Sequence, residues 1–73
     1  AGFQSSVLFG YDQVVPGLPL YAVEGVFHAI RLWSYGYQAV AYFGSYISLA
    51  QALLIARKEP SSLCWIPERG VNP

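Results

Sequence analysis

Hydrophobic and polar positions divide the chain into stretches of different character. From Leu20 the order YAVEGVFHAIRLWSYG puts Glu24, His28 and Arg31 at i, i+4 and i+7, the spacing of one helical face, with Val23, Phe27, Ile30 and Trp33 or Ser34 on other sides. Pro19 stands just before this stretch as a start signal. The pattern predicts an amphipathic helix over residues 20–35. Beyond it the polarity drops: the 25 residues from Leu32 to Ala56 contain no ionisable side chain other than tyrosine. The core of that run, GYQAVAYFGSYISLAQALLIA, has no proline, and its polar members Gln38, Ser45, Ser48 and Gln51 are neutral. About 20 mostly apolar residues, rising about 1.5 Å each, cross a ~30 Å hydrocarbon layer. Residues 36–56 are therefore predicted to form a transmembrane helix. A buried helix of a soluble bundle is the alternative, and the missing charges count against it, because a short bundle leaves polar residues on an exposed face of every helix.

The flanks read as irregular. Residues 1–19 carry Gly2, Gly10, Pro16, Gly17 and Pro19, which predicts an irregular arm with a short extended piece around Ser6 to Phe9. Residues 57–73, with Pro60, Pro67 and Pro73, predict an extended tail. The fold class expected is all-α membrane: one transmembrane helix preceded by an amphipathic segment, with irregular arms at both ends. Only Ser34, Tyr35 and Gly36 separate the two helical patterns. Either an interfacial helix bends into the span at Gly36, or one helix runs from about Tyr21 to Ala56. A polar stripe of Glu24, His28, Arg31, Tyr35, Gln38, Tyr42 and Ser45 continues through the junction and favours the single helix.

Composition strengthens this picture. The chain is 55% hydrophobic and only 11% charged, against roughly 25% charged residues in ordinary soluble domains. A chain of 73 residues buries too little surface to be comfortable alone, and the single Cys64 excludes an intrachain disulfide, so support is expected from lipid or from a partner. Arg31, Arg57, Lys58 and Arg69 balance Asp12, Glu24, Glu59 and Glu68, which leaves no basic field for nucleic acid. Trp33, Tyr35 and Tyr37 before the span and Trp65 beyond it fit interfacial belts. Arg57 and Lys58 place the C-terminus on the stromal, matrix or cytoplasmic side. The start at Ala1 fits removal of a targeting segment or an incomplete beginning.

Candidate chemistry is sparse. Ala41, Gly44, Ser45, Ser48 and Ala52 form a small-residue ridge that would dock the helix onto a larger membrane protein. His28, flanked by Phe27, Ile30 and Trp33, is a candidate ligand for the magnesium of a chlorophyll or the iron of a haem; its competing role is a hydrogen bond or ion pair with Glu24 and Arg31. Cys64 reads as an inert packed thiol. No second histidine, Gly-rich phosphate loop or Ser/His/Asp set is present, so no enzyme is expected. These features point to a non-catalytic accessory subunit of a multi-subunit bioenergetic membrane complex, partnered by larger membrane subunits, the lipid bilayer and possible pigments. In general organisation the chain resembles the small peripheral subunits of photosystems, and less closely the supernumerary subunits of respiratory complexes, although no stretch matches a family motif. The resemblance implies a thylakoid location over the inner mitochondrial membrane. Two alternatives stand beside it: an antenna polypeptide binding pigment through His28, and a single-span regulatory peptide of a transporter.

Overall fold

The structure, a computed structural model, describes residues 7–43 and 47–66. Its elements run β1 (Pro19–Val23), α1 (Val26–Ser34), β2 (Ala39–Ala41), α2 (Leu49–Arg57) and β3 (Ser62–Ile66), preceded by a 3-10 turn at Tyr11–Gln13. The three strands form one sheet in the order β2-β1-β3. Both pairings are parallel, with Tyr21 opposite Ala39 and Cys64, and Val23 opposite Ala41 and Ile66.

Strand alternation sorts the core into two layers. Successive side chains of a strand point to opposite faces, so an apolar run is stable as a strand only where both faces are covered. On one face Leu20, Ala22, Val40 and Tyr42 pack with Ile55, joined by Leu54 and Ile47 from α2 and the segment before it. On the other, Val23, Ala39 and Ala41 pack with Ala29, joined by Val26, Leu32 and Trp33 from α1. The two helices thus cover opposite faces. Residues 26, 29, 32 and 33 lie within one side of a helix, which is why α1 turns that side inward. Full burial of a residue such as Leu20 or Val23 stabilises the fold by roughly 1.5–3 kcal/mol.

This architecture overturns the all-α membrane reading. The stretch 36–56 is not one helix: Gly36 adopts φ 92 just after α1, β2 follows at Ala39–Ala41, and α2 begins only at Leu49. Among the described residues no helix is long and apolar enough to cross a membrane. The transmembrane span, the single-pass photosystem and thylakoid assignments, and the inferred C-terminal orientation fall with it. The physical reason is an ambiguity of signal. A strand buried on both faces of a parallel sheet reads as a continuous apolar run, and Ala39, Val40 and Ala41 are all buried; a charge-free sequence then resembles a span without being one. The predicted amphipathic segment 20–35 also divides, its first residues entering β1 and Val26–Ser34 forming α1. Within the tail predicted as extended, Ser62–Ile66 pairs into the sheet as β3.

Two features tie the periphery down. The N-terminal arm lies antiparallel along the outer edge of β2, where Phe9 N–H donates to the Ala41 carbonyl at 2.9 Å and Ala41 N–H donates back at 3.1 Å. Pairing of this kind closes a sheet edge. Gly10 must lack a side chain: at φ 88 a Cβ would stand 2.7 Å from Trp33 Cζ2. On the other face Ser48 and Gln51 form a capping box at the start of α2. The same Gln51, only 1% exposed, donates from Nε2 to the carbonyls of Val7 and Tyr42, both at 2.8 Å.

Candidate functional site at the carboxyl end of the sheet

The strand order decides where to look. The chain moves from β1 to β2 on one side, then returns across β1 to place β3 on the other, so the order reverses at β1. In open parallel sheets ligands bind outside the carboxyl ends of the strands at such a reversal, because connections leaving toward opposite faces open a crevice there. In this chain that position holds Glu24 and Gly25 after β1, Tyr42 and Phe43 after β2, and the end of β3 at Ile66.

Glu24 follows the last residue of β1 and is half-buried; among the described residues its carboxylate makes no hydrogen bond or ion pair. Gly25 caps α1 without a side-chain hydrogen bond, and no acidic residue stands in the first turn. The leading N–H groups of a helix have no partner within it and carry partial positive charge. On the β2 side, Tyr42 N–H donates to the Val23 carbonyl at 2.9 Å and Phe43 N–H to the Glu24 carbonyl at 3.1 Å. These bonds bring the β2 exit against the β1–α1 turn. Trp65 Nε1 donates to the Tyr42 hydroxyl, and the two rings meet edge to face with centroids 6.2 Å apart. Ala22 stands in register opposite Val40 on β2 and Trp65 on β3.

Two shallow grooves of about 400 and 480 Å³ lie elsewhere, along the outer edge of β2, and share Gly10, Gln13 and Trp33. Their larger side chains are already engaged. Trp33 stacks on Phe9 and donates to the Ala39 carbonyl, while Gln38 binds the backbone of Val15 and Pro19. They record how the arm seats against β2, and the carboxyl end carries the stronger case.

The sequence-predicted residues scatter. His28 sits half-buried in the first turn of α1, one turn from Glu24; Arg31 and Tyr35 follow on its exposed side. Gln38 precedes β2 and Tyr42 is buried beyond it, so the polar stripe is not one helical face. Of the small-residue ridge, Ala41 is buried in β2, Ser48 caps α2 and Ala52 is exposed on it, while Gly44 and Ser45 lie outside the described residues. Ala41, Ser48 and Ala52 do not share one helical face. Phe43 and Gly25 were missed, and the sequence signal that could have found them is the V-E-G step from an apolar run into a helical pattern, the form of a strand-to-helix turn. Among the described residues no group of three or more His, Cys, Asp or Glu could hold a metal ion. The chain matches no family model, no curated protein and no solved structure.

Proposed function

We propose that this chain is a ligand-binding α/β unit whose site lies at the carboxyl end of the sheet, where it takes a phosphate-bearing ligand together with a divalent cation. The observation that carries the reading is the Glu24 carboxylate, unpartnered among the described residues, at the point where the strand order reverses, beside the start of α1, which has no side-chain cap. The charge balance argues for the cation. With a net charge of zero and a carboxylate in the site, a bare phosphate would be repelled. Magnesium-type ions are commonly held by one or two carboxylates plus the ligand's own phosphates, so a single glutamate suffices where no full cage exists. The first N–H groups of α1 would then face the phosphate oxygens.

The test is titration of the chain with tripolyphosphate and Mg²⁺, followed by amide chemical shifts. Shifts are expected to cluster at residues 24–28 and to require the cation, and Glu24→Gln should weaken binding by about tenfold or more, the scale of one lost charge-assisted contact. Its stability should change by no more than about 0.5 kcal/mol, since no partner is lost. Equal affinity in the native chain and the Glu24→Gln variant would sink the reading.

A second reading, a non-catalytic accessory subunit of a larger assembly, is favoured by β3. Leu63 and Trp65 are about half exposed on that strand, and an open apolar edge invites a partner polypeptide. Co-purification of a partner at fixed stoichiometry, lost on Trp65→Lys, is the expected result; a chain recovered alone at every salt concentration would remove this option.

A further inference from the structure

We propose that β3 pairs edge to edge with β3 of a second copy of this chain, antiparallel and two-fold about Cys64, joining two three-stranded sheets into one. The inference takes the same exposed strand as the accessory-subunit reading and commits it to a different occupant. Leu63 and Trp65 are 49% and 50% exposed, and Ser62 and Cys64 are exposed with them. Strands that stay at an edge are commonly blunted by a charge, a proline or a bulge. Ser62–Ile66 contains no charge or proline and keeps unbroken register with β1 over all five residues.

Backbone direction selects the pairing. Tyr21 N–H donates to the Gln38 carbonyl and Tyr42 N–H to the Val23 carbonyl, both at 2.9 Å, so Tyr21 and Val23 turn backbone groups toward β2. Direction alternates along a strand, and Leu20 and Ala22 therefore face β3. Register sets them opposite Leu63 and Trp65, and in a parallel ladder a residue bonds to the neighbours of the one it stands opposite. Ser62, Cys64 and Ile66 thus serve β1, while Leu63 and Trp65 direct N–H and carbonyl outward. A two-fold axis at Cys64 sets Leu63 opposite Trp65 of the second copy, and each such pair exchanges two hydrogen bonds. Both side chains lie on the α2 face, because their register partners Leu20 and Ala22 belong to that layer, so leucine meets indole in each pair. No like charges meet within the strand. In sequence, Glu59 and Arg69 stand five positions either side of Cys64, so the same axis brings opposite charges to each end. Cys64 meets Cys64 of the second copy in a non-hydrogen-bonded pair, with Cα atoms about 4.5 Å apart, a separation that a disulfide spans.

A five-residue edge falls short of the roughly 1,600 Å² of a standard interface, so the association is weak, with a Kd of about 0.1–1 mM. The dilute chain is monomeric, and Leu63 and Cys64 then face water. The experiment is sedimentation of the native chain up to about 2 mM, with oxidation of the concentrated sample by diamide, which takes up the two thiol hydrogens as the disulfide forms. A dimer is expected, linked through Cys64, with amide exchange slowed at Leu63 and Trp65 as concentration rises. Leu63→Lys should weaken association about tenfold or more while leaving the folded monomer's amide spectrum in place. In the double variant Ser62→Cys, Cys64→Ser the axis separates the two thiols by about four residues, some 13 Å at about 3.4 Å each, and no linked dimer should form. A chain that sediments as a monomer throughout overturns the proposal, as does equal linking through positions 62 and 64. A monomer that instead co-purifies with a different polypeptide, lost on Trp65→Lys, overturns it in favour of the accessory-subunit reading.

Discussion

Strands β1 and β3 lie side by side in parallel register over five residues, and both are apolar: PLYAV against SLCWI. Their fates differ. Leu20, Ala22 and Val23 are buried almost completely, whereas Ser62 to Trp65 are all exposed and only Ile66 is half covered. Nothing in side-chain chemistry separates a leucine at 20 from its register partner at 63. The difference is position: β1 has a strand on each flank and a helix over each face, while among the described residues β3 pairs with a strand on one flank only. Burial in this molecule is conferred by topology, and hydropathy merely permits it.

A buried charge breaks the comparison most sharply. Ala22→Lys puts an ammonium where both faces are closed, and a loss of about 3–5 kcal/mol is expected in denaturant unfolding, enough to unfold a chain of this size. Leu63→Lys, one strand away, should change stability by less than about 1 kcal/mol, because its ammonium reaches water. Equal losses at the two sites would show β3 to be as enclosed as β1. Truncation sharpens the contrast at lower amplitude. Leu20→Ala should cost roughly 2–4 kcal/mol and Leu63→Ala under about 1 kcal/mol, read from the shift in unfolding midpoint at constant slope. Thiol labelling perturbs the fold least. The exposed Cys64 should react with maleimide at nearly its unfolded rate, whereas a cysteine introduced by Ala22→Cys should stay protected until the chain opens. Matching rates would mean that the sheet frays as a whole.

What the sequence revealed follows the same logic. Val26–Ser34 lies within the segment whose polar spacing predicts a helix, and there periodicity sufficed because one side of α1 meets the sheet and the other meets water. Gln51 was read as a neutral polar residue in a span; it is a buried bracket, and its partners Val7 and Tyr42 are visible only in three dimensions. The charge-free middle misled because it joins a doubly covered strand to a helix, and neither needs a charge. Glu24 entered as part of a helical stripe and stands instead at a strand exit. Its place at the reversal point depends on strand order, a property no local window of residues encodes.

The bracket at Gln51 also bears on how the molecule comes to be assembled. It joins Val7 to a residue 44 positions later, so the earliest described segment to leave a ribosome is among the last to find its seat. Until α2 has emerged, Val7 lacks its amide partner, although Phe9 can already pair with Ala41 and stack on Trp33. The Val7 end of the arm is therefore secured only after α2 is made, and sequence separation of this kind slows the search for the native state.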